Sequence, residues 1–492
     1  MALDVPTYRR RLEDMTAETM EEFYRQSAGL KPTLEIAPIY ERYQDLSTLE
    51  QLRALGESRA PGELRRFACE ALIGNGCKQL TEQAANTQAA LTIDFDGEPI
   101  AYRSVRPRLM NEADAGRRRD LYARRCAATD EHLNPILAEA TLRERQLTRE
   151  CGADSVLELY EGFGFDPVGL REDTRRFLAD TDELYRSRMD EALHARLGIG
   201  LDDATPADTA RLWRAPEFDI SFPRERSLPA LRQTLAGLGI DLDRQANVQL
   251  DIEERPNKHP RAFCAPIRVP GRVVLVTLPQ GGQDDYRALF HEAGHTEHYA
   301  HTEANLPAEA RVLGDNAVTE GFAFLLEHLI GDRHWLSARL DLTDADDYLR
   351  FGALAKLYLV RRYAAKLEYE VALHSGTPLE QLPGRYTDAL DEALGIRHSP
   401  TDYLEDVDGG FYCTRYLRAW ALEAQITDHL RSRFGNRWFA EPAAGGLLRQ
   451  LWRLGQALPA GELCEQVTGH GIEFGVLAAE AKAALARGRT PL

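Results

Sequence analysis

The sequence predicts a mainly α-helical protein that contains one small β-sheet. Two observations lead to this prediction. Over most of the 492 residues, apolar side chains recur at the spacing of one buried helix face. Between residues 246 and 280 the pattern changes to alternation, which is typical of strands with one buried face. No internal repeat or low-complexity tract is apparent in the sequence.

Composition and charge narrow the class of protein. Hydrophobic residues make up 43% of the chain and charged residues 28%, which is ordinary for a globular protein. The formal net charge of −18 argues against nucleic acid and anionic membranes as partners. The first residues lack the apolar core of a signal peptide, and no apolar run has the length of a membrane span. We therefore expect a cytoplasmic protein.

The seven cysteines form an odd-numbered set without a Cys-x-x-Cys pair. This pattern favours reduced thiols over a disulfide framework. We expect each cysteine to be a small buried apolar side chain.

Residues 1–210 are predicted to form an N-terminal helical lobe, and residues 211–492 a second lobe. Proline-containing connections around residues 204–219 mark the boundary. Asn134 is the expected N-cap of the clearest helical stretch in the first lobe, and Gly152 its stop signal. The predicted elements of this lobe are a hairpin at 92–103 and helices at 121–152 and 170–198.

The second lobe begins with the small sheet at residues 246–280. Residues 248–252 and 262–269 alternate between apolar and polar side chains, and Pro270-Gly271 turns the chain into a third strand at 272–278. We expect an antiparallel sheet. Two roles remain open for it: support for the helix that follows, or an edge strand that pairs with an extended peptide.

The helix expected after this sheet carries His291-Glu292-Ala-Gly-His295. Histidines at positions i and i+4 lie on one helix face, so both imidazoles reach one Zn²⁺. Glu292 lies beside such a metal without binding it and is placed to exchange protons with water as a general base and acid. Acidic residues in the first turn favour this helix, and Pro307 is expected to end it.

A second helix is expected from Asp315 or Asn316, as its cap, to Gly331. Glu320 lies in its first turns and is the candidate third zinc ligand, which leaves the fourth position to water. Zinc helices therefore occupy residues 285–331.

Two further polar residues lie close to these candidate ligands. Glu327, two turns after Glu320, either hydrogen-bonds a ligating histidine or is a solvated helix residue. His298 is expected in a cleft wall rather than as a ligand.

The remaining chain is expected to be helical at 348–373, 379–394 and 411–434. Attack of a zinc-activated water on a carbonyl group needs hydrogen-bond donors for the oxyanion of the tetrahedral intermediate. The segment 409–420 is the best candidate, because Tyr412 and Tyr416 share a helix face at positions i and i+4. Gly409 and Gly410 precede them and permit the close approach of a substrate.

Together these motifs resemble the thimet oligopeptidase and oligoendopeptidase F family of zinc peptidases, which are gluzincins. The similarity rests on the His-Glu-x-x-His motif, on Glu320 and Glu327 after it, and on the sequence from Lys258 to Cys264 before it. It implies one Zn²⁺ per chain and a zinc-dependent endopeptidase that cleaves short, unstructured oligopeptides in the cytosol. It also implies two helical lobes around a deep substrate channel that excludes folded proteins.

The tyrosine segment departs from this family. Thr414 stands where a middle tyrosine is usual, and Asp406 and Asp408 stand where a histidine is usual. We expect Tyr416 to be the main oxyanion donor, with Tyr412 assisting and Thr414 as the rival.

Two other functions remain open. A metallocarboxypeptidase of the carboxypeptidase Taq kind has a similar length and ligand pattern, although its His-Glu-Ser-Gln signature is replaced here by Thr319-Glu320-Gly321. A helical peptide-binding protein that has lost catalysis is the third possibility, because the tyrosine segment is altered.

Overall fold

The computed structural model describes residues 2–486, which are mainly α-helical, as predicted. Five strands complete the regular structure of this range. In chain order the helices are α1 Val5–Ser27, α2 Ala37–Arg42, α3 Leu49–Glu57, α4 Gly62–Ala90, α5 Val105–Asn111, α6 Ala115–Ala128, α7 Asn134–Glu150, α8 Val156–Glu161, α9 Pro167–Leu197, α10 Pro206–Arg214, α11 Ser227–Gly237, α12 Gln283–His301, α13 Asn316–Glu327, α14 Arg333–Leu340, α15 Asp346–His374, α16 Leu382–Leu394, α17 Tyr412–Phe434, α18 Pro442–Trp452, α19 Ala460–Thr468 and α20 Gly475–Ala486. The strands are β1 Thr92–Phe95, β2 Glu98–Ala101, β3 Val248–Asp251, β4 Phe263–Arg268 and β5 Arg272–Val276.

Several helix ends follow the predicted signals. Helix α9 ends at Gly198, which adopts the left-handed conformation that glycine favours. Asp315 caps α13 by accepting the backbone N–H of Ala317. The end of α12 was predicted wrongly: the helix stops at His301, well before Pro307. The chain turns away at Thr302, and the next N–H, of Glu303, donates to the carbonyl of Arg453.

Asn134 is not an N-cap, contrary to the prediction. A π-helical segment, Thr129–Leu133, connects α6 to α7, so the chain is already helical when it reaches Asn134. The Asn134 amide instead donates to the carboxylate of Asp130 and to the carbonyl of Thr401. A capping residue and a polar residue inside a continuous helix look alike in the sequence.

The predicted hairpin is confirmed. Strands β1 and β2 pair antiparallel, with Ile93 opposite Ile100. These side chains face a core formed with α5, α6 and α10. The buried members of that core are Ile93, Phe95, Ile100, Tyr102, Val105, Leu109, Leu121, Leu133 and Ala207.

The three-stranded sheet is mixed, so the predicted antiparallel arrangement is wrong in part. The strand order is β3-β5-β4: β4 pairs antiparallel with β5, but β3 pairs parallel with it. The third strand in sequence therefore occupies the centre, where Val273–Val276 are fully buried. A continuous apolar run is typical of a central strand, whereas the alternation of the outer strands does not reveal their neighbours.

The sheet packs between two helices. On one face, Tyr24 of α1 and Ala28, the residue that follows this helix, form a core with alternate residues of the sheet: Ala265, Ile267, Val274 and Val276. Helix α12 also packs against β4 and β5. The sheet thereby fixes the position of the helix that carries the His-Glu-x-x-His motif.

The chain forms two compact units, each made of three segments. The first unit contains Met1–Ala68, Pro216–Leu349 and Arg415–Leu477. The second contains Cys69–Ala215, Arg350–Thr414 and Ala478–Leu492. The predicted lobes, residues 1–210 and 211–492, differ from these units because each lobe was one continuous segment. The predicted boundary lies close to one of the crossings, at residues 215 and 216.

None of the seven cysteines forms a disulfide. Four are buried, but Cys77, Cys151 and Cys264 are partly exposed, so the prediction of seven buried thiols is wrong for these three. Among the described residues, no helix combines the length and apolar character needed to cross a membrane.

Candidate metal centre

Helix α12 begins where two glycines allow a sharp entry. Gly281 and Gly282 have φ values of +84° and +90°, which residues with a Cβ rarely adopt. The carboxylate of Asp285 accepts the backbone N–H groups of Gln280 and Gly281, both at 3.1 Å. Asp284 adds a second negative charge at the positive end of the helix. These local interactions set where the first turn starts and hence which face carries the histidines.

Helices α12 and α13 approach each other unusually closely at Gly294. A Cβ at this position would lie 2.5 Å from both the Cα of Ala323 and the carbonyl oxygen of Phe322. Only glycine permits this backbone contact. The glycine inside the motif therefore brings the histidines of α12 within reach of the carboxylate on α13.

The two histidines and Glu320 converge on one point. Glu320 Oε2 lies 3.4 Å from His291 Nε2 and 3.6 Å from His295 Nε2. One donor atom from each of the three residues lies within 4.8 Å of the others. Two ligand atoms about 2.1 Å from a tetrahedral zinc are separated by roughly 3.4 Å, so this donor set fits zinc in type and spacing.

Outer hydrogen bonds orient both imidazoles. His291 Nδ1 lies 2.9 Å from Glu327 Oε2, and Arg287 donates to the other oxygen of Glu327 at 3.2 Å. His295 Nδ1 lies 2.8 Å from the hydroxyl of Thr319. Because Nδ1 is engaged in each ring, the lone pair on Nε2 is directed toward Glu320. Two roles were left open for Glu327, and the geometry agrees with the role in which it hydrogen-bonds a candidate ligand histidine.

The electrostatic field at this point favours positive charge. Burial opposes protonation of His291, but hydrogen bonds with Glu320 and Glu327 outweigh it and raise its pKa to about 10. Burial also opposes ionisation of Glu320, yet the neighbouring His295 and His291 hold the pKa of Glu320 far below its usual value. Burial opposes ionisation of Glu327 as well, but His291, Arg287 and His328 lower its pKa to about 2. A site that holds a proton so firmly also attracts a divalent cation.

Glu292 is held by the adjacent sheet. Its Oε2 accepts the backbone N–H of Cys264, in strand β4, at 2.8 Å. The carboxylate is half-buried and belongs to the same helical turn as His291. It is thus fixed beside the candidate ligands without being one of them.

Two successive ring contacts connect Tyr416 to the candidate ligand His291. Its half-buried ring packs on Phe324, with 6.1 Å between centroids, and Phe324 packs on the imidazole of His291 at 5.2 Å. Trp420 contacts the same side of Tyr416. All four residues belong to the first unit.

Residues 409–414 of the tyrosine segment belong to the second unit. Gly409 begins a short 3-10 turn, and Gly410 has a φ of +67°, where a Cβ would lie 2.6 Å from the hydroxyl of Tyr160. Tyr412 is half-buried at the start of α17. Thr414 is buried, and its hydroxyl donates to the carbonyl of Phe411 at 2.8 Å. Packing on Tyr160 is sufficient to explain the glycine at 410.

His298 is not in a cleft wall, contrary to expectation. Its ring is fully buried against Phe322, and its Nε2 lies 3.2 Å from the carbonyl of Gly455. Burial lowers the pKa of His298 to about 3. His298 follows His295 by three residues, so its side chain points about 60° away from that of His295 around the helix axis. This difference is enough to direct it into the core.

Sequence reasoning missed the partners of His295. The hydroxyl of Thr319 hydrogen-bonds its Nδ1. The ring of Tyr299 also stacks on that of His295, with centroids 6.2 Å apart. The signals were present, because Thr319 precedes Glu320 and Tyr299 follows His295 by one helical turn.

A scan against protein-family models and a search of curated proteins both found no match for this chain.

Proposed function

We propose that the protein is a zinc-dependent metallopeptidase that hydrolyses peptide bonds in short, unstructured oligopeptides. One observation carries the proposal: the convergence of His291, His295 and Glu320, with Glu292 held beside them. Two imidazole nitrogens and one carboxylate, with a further carboxylate nearby, are the donor set of zinc hydrolases. The resemblance of the sequence motifs supports the peptide substrate and its limited length.

His291, His295 and Glu320 would hold one Zn²⁺ per chain. When bound, zinc supplies a Lewis acid that lowers the pKa of a water molecule and polarises a peptide carbonyl. The protein provides the orientation, because Glu327 and Thr319 fix the two rings and leave Nε2 of each directed at the site.

Glu292 acts as general base and then as general acid. The hydrogen bond from the Cys264 N–H engages Oε2 and holds the carboxylate in place. We assign proton transfer to Oε1, which takes a proton from the attacking water and delivers it to the leaving amine. A fixed carboxylate is needed for this role, because the proton must be taken from the attacking water and released at the nitrogen of the leaving amine.

Tyr416 is the proposed donor to the oxyanion of the tetrahedral intermediate. Its proximity to His291 through Phe324 supports this assignment over Tyr412. Thr414 is the weakest of the three candidates, since its hydroxyl already donates to the carbonyl of Phe411. A phenol is a neutral donor near pH 7 and acts mainly where negative charge develops.

The proposal is tested with peptides blocked at the C-terminus and with a stably folded protein as a second substrate. We expect internal cleavage of the blocked peptides, no cleavage of the folded protein, loss of activity with a chelator and recovery on addition of Zn²⁺. Products should be identified by mass spectrometry.

Each alternative function gives a different result in this assay. Stepwise release of single residues from unblocked C-termini alone would indicate a carboxypeptidase. Peptide binding without any hydrolysis by zinc-loaded protein would indicate a binding protein. Activity that survives complete removal of zinc would contradict the metal-dependent mechanism.

A further inference from the structure

Arg287 lies on the same face of α12 as the two candidate histidine ligands. It precedes His291 by four residues, as His291 precedes His295, so the three side chains project from one face on successive turns. One turn advances the helix by about 5.4 Å, which places Arg287 next to the candidate metal site. The His-Glu-x-x-His motif begins after this residue and does not account for it.

Glu327 holds the guanidinium of Arg287 beside the imidazole of His291. Its Oε2 lies 2.9 Å from His291 Nδ1, and its Oε1 accepts a hydrogen bond from Arg287 Nε at 3.2 Å. Because one carboxylate contacts both side chains, the guanidinium and the ring are neighbours. The positive charge of Arg287 is therefore fixed at one side of the candidate metal site.

Glu327 occupies only one nitrogen of this guanidinium. Within residues 2–486, Nη1 and Nη2 of Arg287 have no hydrogen-bond or ion-pair partner. Neither of these nitrogens is a buried atom, and the side chain is 23% exposed, so a ligand can reach them. The planar end of the guanidinium can thus bind a group from outside the protein.

Two other arginines of this protein pair with a carboxylate through two nitrogens. Arg232 contacts Asp243 through Nε and Nη2 at 2.8 and 2.9 Å. Arg175 contacts Glu368 through the same pair of atoms, both at 2.8 Å. This two-point contact matches the planar fork of the guanidinium to the two oxygens of a carboxylate. Arg287 lacks it and so retains a complete fork, Nη1 and Nη2, for a second carboxylate.

The charge of the whole chain makes this arginine relevant to an anionic ligand. The formal net charge is −18, so the protein repels carboxylates at long range. A guanidinium with unused donors is a local exception, because it supplies both opposite charge and hydrogen bonds. An acidic ligand that reaches the site is therefore attracted to Arg287.

We propose that Arg287 binds a carboxylate of the substrate through Nη1 and Nη2 and thereby selects peptides that carry a carboxylate close to the cleaved bond. An extended peptide advances about 3.3 Å per residue, so a group bound one helical turn from His291 belongs to a residue within about two of that bond. The carboxylate is either the C-terminus of the peptide or the side chain of an aspartate or glutamate. This specificity rests on the proposed function for the identity of its ligand as a peptide.

The experiment compares four forms of one short, fluorescently labelled peptide. Two forms lack acidic side chains and end in a free carboxylate or in an amide, which tests the C-terminus. The other two end in an amide and carry glutamate or glutamine at each position in turn, which tests a side chain. Binding is measured by fluorescence anisotropy with zinc-loaded Glu292→Gln protein, which does not consume the peptides. We expect the carboxylate form of at least one pair to bind roughly 10–100-fold more tightly than its neutral partner.

Variants of the ion pair separate ligand binding from positioning. In the Glu292→Gln background, Arg287→Gln should abolish the preference for the carboxylate form. Arg287→Lys should keep part of it, because lysine retains the charge without the fork. Glu327→Gln is the matched control: it breaks the same ion pair but keeps the guanidinium, so the preference should persist at saturating zinc.

Equal affinity of the Glu292→Gln protein for both members of each peptide pair would overturn the inference, and this result needs no substitution at Arg287. An equal loss of the preference in Glu327→Gln and Arg287→Gln would assign Arg287 a purely structural role and would also contradict it. Failure of the proposed function is distinct, because wild-type protein loaded with zinc would then hydrolyse none of the peptides, whatever their affinity.

Discussion

Two clusters of buried carboxylates, one in each unit, differ in the chemical groups that lie between the carboxylates. In the first unit, the imidazole nitrogens of His291 and His295 face the carboxylate of Glu320. Imidazole and carboxylate are metal donors, and their spacing fits one zinc. The cation of this cluster, Arg287, contacts only the outer carboxylate, Glu327.

In the second unit, a protein cation lies directly among the carboxylates. Lys366 Nζ is 2.7 Å from Asp408 and 3.4 Å from Asp406, and Arg362 pairs with Asp406 as well. Glu370 is fully buried beside them and accepts the N–H of Asp408. This cluster neutralises itself and anchors the segment before Gly409. Buried charge alone therefore does not indicate a metal site. The types of donor atom, and whether a protein cation lies between them, distinguish the two clusters.

The strongest test of this difference is removal of the proposed general base, Glu292. Glu292→Gln keeps the shape of the side chain but cannot take up the proton, so the turnover number should fall by roughly 10²–10⁴-fold. Zinc content should remain that of the wild type, because Glu292 is not a proposed ligand. Glu303→Gln, just beyond α12, serves as the control and should retain normal turnover. Near-normal activity of Glu292→Gln would require another base.

Removal of the proposed oxyanion donor should have the next largest effect. Tyr416→Phe deletes one hydroxyl and keeps the ring contact with Phe324, so kcat should fall by roughly 10²–10³-fold with little change in KM. The comparison with Tyr412→Phe and Thr414→Val on one peptide decides the assignment. A silent Tyr416→Phe alongside a severely impaired Tyr412→Phe would transfer the role to Tyr412.

The outer carboxylate of the first cluster should affect metal affinity rather than chemistry. Glu327→Gln weakens the hydrogen bond that orients His291, so the affinity for zinc should fall by roughly 10–100-fold. The matched control is Glu423→Gln. Glu423 also pairs with the Nδ1 of a histidine, His328, at 2.7 Å, but this histidine is not a candidate ligand. The control should bind zinc normally. Equal losses in both variants would point to general destabilisation.

The second cluster should respond to pH through stability. Burial raises the folded-state pKa of Glu370 to about 8, from an ordinary value of 4.5. The folded state therefore holds this proton more tightly than the unfolded chain does. The stabilising contribution of Glu370 is complete below the unfolded pKa and is lost as the pH rises through the folded pKa.

Glu370→Gln stays neutral, so its free energy of unfolding should decrease less than that of the wild type between about pH 5 and about pH 8. We expect a difference of roughly 3 kcal/mol, since one proton bound only in the folded state contributes about 1.4 kcal/mol per pH unit; urea denaturation at both pH values measures it. The exposed Glu380→Gln is the control. Identical pH profiles for the wild type and Glu370→Gln would show that this carboxyl is not held protonated.

The shared face of the two histidines was predictable because helix geometry is local. The four-residue spacing of His291 and His295 places both rings on one face whatever the rest of the fold does. To place Glu320 beside the histidines, one must also know that α12 and α13 are in contact. Gly294 was the local indication of that contact. Thr319 and Tyr299 depend on the same contact and were missed.

The errors arose where tertiary partners decide the outcome. Alternation predicted the strands but not that β5 lies between β3 and β4, although the uninterrupted apolar run at Val273–Val276 indicated a central strand. His298 was expected in a cleft wall beside the candidate ligands. A three-residue step instead turns it toward Phe322 and the carbonyl of Gly455.

The central claim is that His291, His295 and Glu320 bind zinc, and metal analysis of the purified protein tests it most directly. Zinc should be measured in the wild type, in His295→Ala and in Glu292→Gln after the same dialysis. We expect about one zinc per chain in the wild type and in Glu292→Gln, and a steep loss in His295→Ala. Undiminished zinc in a folded His295→Ala protein would show that His295 is not a zinc ligand.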